Sequence, residues 1–416
     1  PRSTHTQSRR QRQMCIRDSH KIRDIGLYPS GKDRVDWARH NMPILKAIKQ
    51  RLIVEQPFKG HKIGICLHVE AKTGVWIETL MAGGAEVAIT GSPGSTQDDT
   101  AAFMVKEMGV QVFAWRSETF DEHVDNAKRV LDTGPTIIAD NGGDLHFLLG
   151  TDDAYNGLRD SIIGATEETT TGANRLREEL PSFEFPTIII NDTMAKRIVE
   201  NRYGVGISVV DGIMRTTNIM LGGKTVVVIG YGYCGQGVAQ RLRGLGAHVT
   251  VVDTDPLTQL EAHFEGFRTG VLEDVLGEAD IVITVTGRDA AIRKQHFELM
   301  KDGVVLCNAG QNSSEIDIES LREMAVTERT LRPDIEQLTL NSGKKFFLLA
   351  RGNLINLAGG DGNPIEVMDL GLALQTLSLE CIALRAETLS NEPQTVPHDI
   401  EQATLKAALR EWVSRA

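Results

Sequence analysis

Cysteine, proline and aromatic residues are scarce in this chain, which has five Cys, 13 Pro and 5% aromatics in 416 residues. The cysteines (Cys15, Cys66, Cys234, Cys307, Cys381) are scattered, odd in number and never spaced as metal-binding pairs. That pattern argues against a disulfide framework or a zinc centre, and no metal is expected. Cys66 and Cys307 lie in apolar runs, where a buried free thiol is the expected state, so a reducing, cytoplasmic setting is expected. No apolar stretch approaches the ~20 residues of a membrane span, so no membrane partner is expected either. Positive charge is also short: 45 Lys and Arg face 56 Asp and Glu, a net charge of −11. A nucleic-acid partner would call for a basic face.

Glycine is plentiful, with 40 residues, and the 41% hydrophobic and 24% charged content is that of an ordinary globular protein. A chain of this length calls for two domains. Residues 1–19 are rich in Arg, Gln and Ser and have no apolar periodicity. They read as a disordered or non-native leader, with a transit peptide as the alternative. Beyond them, β-branched runs alternate with helix-like stretches. The first series is Ile63–Val69, Val87–Thr90, Gln111–Trp115, Thr136–Asp140 and Thr187–Asn191. The second is Thr225–Gly230, His248–Asp253, Ile281–Thr286, Val304–Ala309 and Phe346–Ala350. Continuous apolar strands separated by helices predict two doubly wound α/β domains with buried parallel sheets. The expected limits are a first domain at 20–205, a second inserted at 206–362, a return helix at 363–391 and a C-terminal helix at 392–416. A turn is expected at Pro393–Pro397, and Leu405, Ala408, Leu409 and Trp412 should share the apolar face of the last helix.

The second series opens on a recognisable loop, Gly230-Tyr231-Gly232-Tyr233-Cys234-Gly235, between the strand Thr225–Ile229 and a helix at Gly235–Leu245. Gly230 permits the tight turn, Gly232 lets backbone approach a pyrophosphate, and Gly235 allows close helix–strand packing. The helix N-terminus faces the negative charge. Asp253 ends the next strand about twenty residues on, where a carboxylate binds ribose hydroxyls and repels a 2′-phosphate. The cofactor expected here is NAD, in a Rossmann domain.

Further motifs surround this loop. They are Ser95-Thr96-Gln97-Asp98, Gly142-Gly143-Asp144, Glu167-Glu168-Thr169-Thr170-Thr171-Gly172, Asn191-Asp192, Asp211-Gly212-Ile213, Cys307-Asn308, Glu315-Ile316-Asp317 and Asn356-Leu357. With their order, from about Asp24 to the region of His398, the chain resembles the S-adenosylhomocysteine hydrolases. The resemblance implies a substrate domain and an NAD domain that close on a nucleoside, usually within a homo-oligomer. It also implies that tightly bound NAD oxidises a ribosyl 3′-hydroxyl, the 5′ thiol leaves, water adds and the ketone is reduced again. The products would be homocysteine and a nucleoside.

Carried over residue by residue, the resemblance implies that Glu168 and Lys196 grip the ribose hydroxyls. Glu200 stands where the family has Asp, Asn201 lies beside the nicotinamide, and His68 lies near the departing thiol. Thr169, Thr170 and Thr171 would hold NAD with Gly230, Gly232, Tyr233, Cys234, Gly235, Asp253, Thr286 and Gly310, and Asn356 would recognise the carboxamide. On the substrate side, Ser95 lies just after Gly91-Ser92-Pro93-Gly94, which replaces the usual residues. Asn141 replaces an Asp implicated in proton transfer, and an amide is no base at neutral pH. Gln311 replaces a histidine near the sulfur, and Asn363 one lining the nucleobase pocket. Glu70 and Lys72 stand where the family contacts adenine through Thr and Glu, which reverses the hydrogen-bond complement offered to the base. The tail ends at Trp412-Val413-Ser414-Arg415-Ala416 without the Lys and Tyr of the family's C-terminal segment. The cofactor side is expected to be intact and the substrate side altered. Two alternatives stand beside hydrolysis of S-adenosylhomocysteine or a related thioether nucleoside. One is a paralogue acting on another ribosyl substrate, and the other a catalytically silent NAD-binding regulator.

Overall fold

The structure, a computed structural model, describes residues 20–310 and 313–413. The chain forms two compact units: unit 1 runs to Thr193 and resumes at Asp369, and unit 2 is Met194–Met368. Segment 194–205, read from sequence with the substrate domain, therefore groups with the cofactor unit. Its backbone lies so close to helix Tyr233–Gly244 that a Cβ on Gly237 would sit 1.8 Å from the Arg202 carbonyl oxygen.

Unit 1 is built on β1 (Lys62–Cys66), β2 (Glu86–Thr90), β3 (Gln111–Phe113), β4 (Ile137–Asp140), β5 (Gly164–Glu167), β6 (Thr187–Ile189) and the short strand Gln394–Thr395. All pairings are parallel, in the order Gln394–Thr395, β6, β5, β4, β1, β2, β3. Chain order reverses between β1 and β4, and a doubly wound sheet opens its ligand crevice at the carboxyl end of such a switch. β5, absent from the sequence expectation, reads only Gly-Ala-Thr-Glu. It is strand because its two neighbours bury it, and a Cβ on Gly164 would come within 2.5 Å of the Ile382 side chain. The turn expected at 393–397 contains strand as well, because Gln394 and Thr395 extend the sheet beside β6.

Two helical expectations also change. Helix Ile365–Arg385 with its extension to Thr388 is long and apolar enough to cross a membrane by length and composition, yet 78% of its most apolar stretch is buried. From Asp369 onward it is an interior helix of unit 1, pinned where both Asp369 carboxylate oxygens accept backbone N–H bonds of 2.8 Å from Ile44 and Leu45. Those amides open helix Pro43–Glu55 and have no partner within their own helix. The last helix, His398–Trp412, buries Ile400, Thr404 and Ala408 while Leu409 is 60% exposed. The buried face is thus rotated from the expected one. Thr404 returns its hydroxyl to the Ile400 carbonyl at 2.9 Å, so a polar residue enters the interface with its hydrogen bond made.

Unit 2 contains β7 (Thr225–Ile229), β8 (His248–Val252), β9 (Arg268–Thr269), β10 (Ile281–Thr284), β11 (Val305–Asn308), β12 (Ala325–Arg332), β13 (Ile335–Leu340) and β14 (Lys345–Leu349). Their order is β12, β13, β14, β11, β10, β7, β8, β9, parallel except at β12–β13 and β13–β14. From β9 to β14 this is the Rossmann order, with its switch between β7 and β10. Val226, Val228, Ile281 and Ile283 pack into one core, and Val227, Ile229 and Val282 into the core on the opposite face. Burial on both faces is why these strands read as unbroken apolar runs. The β12–β13 hairpin was not foreseen, since β12 is charged and almost wholly exposed.

Candidate active site

In unit 1 the marked residues gather at the carboxyl ends of β1, β2, β4 and β5. His68 follows β1, and its Nδ1 is enclosed without a hydrogen-bond partner. Burial, with Lys72 nearby, lowers its pKa to about 4, so the imidazole is neutral at pH 7. Glu70 is the N-cap of helix Ala71–Ala82 but makes no capping bond with its side chain. Its Oε2 instead lies 2.6 Å from the Lys72 ammonium, and both residues are 4% exposed. A buried ion pair recovers little of its desolvation cost, so its retention at a crevice points to a use other than stability. Ser95, after β2, donates to the Ser92 carbonyl at 2.7 Å and accepts from Ser92 N at 3.2 Å, so its hydroxyl closes the Gly91–Gly94 turn.

Asn141, beyond β4, is buried, and its N–H donates to Asp140 Oδ1 at 3.0 Å. The other Asp140 oxygen accepts from His146 Nδ1 at 2.8 Å. Arg175 holds the following loop, donating to the Gly142 carbonyl at 2.7 Å and to Asp144 at 2.9 Å. Asp144 also meets His123 at 3.0 Å. Burial opposes charge on His123, but Asp144 and Glu118 prevail and raise its pKa to about 9.

The Glu167–Gly172 motif separates into distinct tasks. Glu167 Oε1 accepts from Gly142 N at 2.9 Å and from the Thr169 N–H and hydroxyl at 2.7 Å each. A Cβ on Gly172 would sit 2.2 Å from the Glu167 carboxyl carbon, so glycine is required there. Thr169 caps helix Thr170–Glu178 by accepting from Gly172 N at 3.0 Å. Thr170 is exposed and Thr171 half-buried. Glu168 is buried and accepts a hydrogen bond from Gln375.

Burial, with Asp140 beside it, pushes the Glu167 carboxyl up to about 7. The folded state therefore holds this proton over the window from the ordinary carboxyl value to about 7, and stability falls as pH rises through that window. Glu167→Gln keeps the accepting Oε1 and removes the ionisation. Its melting temperature is expected to change less between pH 5 and pH 8 than that of the parent protein. Parallel melting curves that differ by a constant offset would show that Glu167 does not carry the effect.

Unit 2 holds the remaining residues. Lys196, Glu200 and Asn201 are buried on a π-helix, Lys196–Val205. The wider turn sets residues five apart on one face, and Lys196 donates to Asn201 Oδ1 at 2.7 Å with Glu200 Oε1 at 3.4 Å. Tyr233 lies beneath the Arg197 guanidinium, 6.0 Å from its ring centroid. Burial raises the neighbouring Cys234 thiol to about 11. Gly230 has φ of +101°, and a Cβ on Gly235 would stand 2.0 Å from the Gly230 carbonyl oxygen. Asp253, after β8, accepts from Tyr231 N at 2.7 Å, tying the loop to the acid expected at a ribose. Thr286, after β10, donates to Glu315 Oε2 through its N–H at 2.9 Å and its hydroxyl at 3.0 Å. A Cβ on Gly310 would fall 1.6 Å from Glu315 Oε1, so Gly310 makes room for this acid. Asn356 donates to Ser208 Oγ at 3.3 Å, and Ser208 donates to Asn363 Oδ1 at 2.9 Å. Gln311 lies outside the described residues.

NAD fits what is present. A Cβ on Gly232 would meet nothing within 4 Å, leaving open space where a pyrophosphate approaches backbone. Asn356 Oδ1 is buried without a donor, as an acceptor awaiting a carboxamide would be. The sequence reading missed the supporting residues Glu167, Glu315 and Gln375. The two acids fell within recognised motifs, but Gln375 carried no local signal.

The four described cysteines, Cys66, Cys234, Cys307 and Cys381, are free thiols. Comparison with known proteins agrees with the geometry. Residues 201–362 match the family described as S-adenosyl-L-homocysteine hydrolase, NAD binding domain, and residues 19–152 match S-adenosyl-L-homocysteine hydrolase. An S-inosyl-L-homocysteine hydrolase of Methanopyrus kandleri is 48% identical over 394 residues, covering 93% of this chain and 92% of that protein. One from Methanocaldococcus jannaschii is 45% identical, covering 94% of each. An adenosylhomocysteinase of Sulfurisphaera tokodaii is 44% identical over 393 residues, again covering 94% of each. With this identity along almost its whole length, the chain belongs to the S-adenosyl-L-homocysteine hydrolase family, NAD-dependent enzymes that hydrolyse a thioether nucleoside to homocysteine and the nucleoside.

Proposed function

We propose that the thioether nucleoside hydrolysed here is S-inosyl-L-homocysteine. The buried Glu70–Lys72 pair carries this reading. A 6-oxopurine offers an acceptor at O6 beside a donor at N1–H. An ammonium donor next to a carboxylate acceptor is the complement of that edge. A 6-aminopurine would set its amino donor against Lys72 and its N1 acceptor against Glu70, leaving buried groups unpaired. The names of the relatives from Methanopyrus kandleri and Methanocaldococcus jannaschii support the same choice.

In this reading Glu168 and Lys196 grip the ribose hydroxyls. The Glu168 carboxylate takes the 3′-oxygen proton, and the Lys196 ammonium, held in place by Glu200 and Asn201, stabilises the negative charge that develops on that oxygen. When bound, NAD supplies the reversible oxidation of the 3′ carbon, which acidifies the 4′ C–H. It is held by Gly230, Gly232, Gly235, Asp253 and Asn356, with Thr169–Thr171. His68, neutral and with its enclosed Nδ1 lacking a hydrogen-bond partner, exchanges a proton near the departing thiol. Asn141 orients substrate by hydrogen bonds and transfers no proton. The free thiols suit a cytoplasmic enzyme, and the family resemblance suits a homo-oligomer.

The test is homocysteine release by the NAD-loaded protein from S-inosyl- and S-adenosyl-L-homocysteine in parallel. A kcat/KM at least about a hundredfold higher for the inosyl compound is expected. Equal values, or an adenosyl preference, would reject the assignment.

A further inference from the structure

Gln375 lies mid-way along the buried helix Ile365–Arg385, 1% exposed and outside every motif named above. Its Nε2 donates to Oε2 of Glu168, 207 residues away in sequence, and its own Oε1 is enclosed without a donor. The amide orientation is dictated, since the flipped form would set two oxygens against each other. Both sides of the contact are anchored. Glu168 N donates to the Asp140 carbonyl at 3.0 Å. Next to Gln375, Thr376 accepts from the Trp76 indole at 3.1 Å, and Asp369 pins the helix nearly two turns earlier. Leu or Met would fill this volume without burying an unused acceptor, so packing alone does not account for an amide here.

We propose that Gln375 is a positioning residue for Glu168, a neutral donor that fixes the rotamer of the carboxylate and holds it ready for the ribose hydroxyls. This rests on the role proposed above for Glu168. A neutral amide suits the task. A Lys or Arg would neutralise a carboxylate that has to accept a proton, and a hydrogen bond to the charged form keeps it ionised in a dry setting.

The test uses NAD-loaded protein with carboxyl-13C glutamate, followed by NMR through a pH titration without substrate; Glu168→Gln identifies the resonance. In Gln375→Met the Glu168 midpoint is expected to rise by at least about one pH unit. NAD content should be retained, and NADH formation on adding substrate should slow about tenfold. In Gln375→Glu the introduced carboxyl donates as the amide did while the pair shares one proton. The rate should stay near that of the parent at low pH and fall as pH rises and the shared proton leaves. An unchanged Glu168 midpoint in Gln375→Met overturns the proposal. If Gln375→Met does not fold, a Gln375→Glu rate profile of the parent's shape overturns it instead. Because the titration needs no turnover, it remains decisive even if no nucleoside is oxidised and the functional reading fails.

Discussion

The double variant Glu70→Thr, Lys72→Glu is expected to transfer the enzyme from inosyl to adenosyl substrate. The ratio of kcat/KM for the two compounds should swing by on the order of 10³ or more, because a site built to hydrogen-bond one edge rejects an analogue lacking that complement very strongly. Both changes are needed together. In the parent the two side chains form a buried pair at 2.6 Å, so Lys72→Glu alone would set two carboxylates side by side in a dry crevice. One would then be forced to take a proton, and both activities should fall. The double variant removes the ion pair and leaves one acceptor for a 6-amino group. Homocysteine release measured for parent, single and double variants decides the matter. A double variant that loses both activities but keeps its melting temperature would show that Glu70 and Lys72 hold the crevice without reading the base.

The second large effect is expected at Lys196. Its ammonium is buried between Asn201 Oδ1 and Glu200 Oε1, and Glu200 Oε2 has no hydrogen-bond partner. Lys196→Ala should slow NADH formation on mixing with substrate by roughly 10³-fold, the scale of losing a positioned donor that stabilises charge developing on the reacting oxygen. The change also strands the Glu200 carboxylate, which costs about 3–5 kcal/mol when one partner of a buried pair is removed. Lys196→Ala with Glu200→Gln relieves that penalty, so this variant separates chemistry from folding. It should melt close to the parent, retain NAD and remain slow. Recovery of the rate in the double variant would mean that Lys196 serves only to neutralise Glu200.

Much of the fold was legible because its determinants are local. Strands buried on both faces are largely apolar, so β7, β8 and β10 stand out as β-branched runs. The cofactor loop was legible for a similar reason. A turn with φ of +101° at Gly230 and a 2.0 Å approach at Gly235 can be met only by glycine, and both are set within six residues. Elements whose stability comes from neighbours were hidden. β5 has too few apolar residues to announce a strand, and the last helix conceals a threonine whose hydroxyl is satisfied by its own backbone.

The site residues divide along the same line. From sequence alone, Glu167 and Glu168 are adjacent acids of equal standing. Glu167, the last residue of β5, accepts from the Gly142 and Thr169 amides, whereas Glu168, just past the strand, accepts from Gln375, so the two adjacent acids serve different partners. Lys196 and Asn201 look too far apart for a helical pair until the π-turn brings them to 2.7 Å. The sequence by itself determined the architecture and the NAD loop, because each is encoded in a few consecutive positions or an ordered set of motifs. The tertiary structure alone decided that Glu70 and Lys72 form one buried pair, that Glu315 grips the loop at Thr286, and that Gln375 reaches Glu168 across 207 residues. Partners of that kind are chosen by packing at a distance, and no local pattern records them.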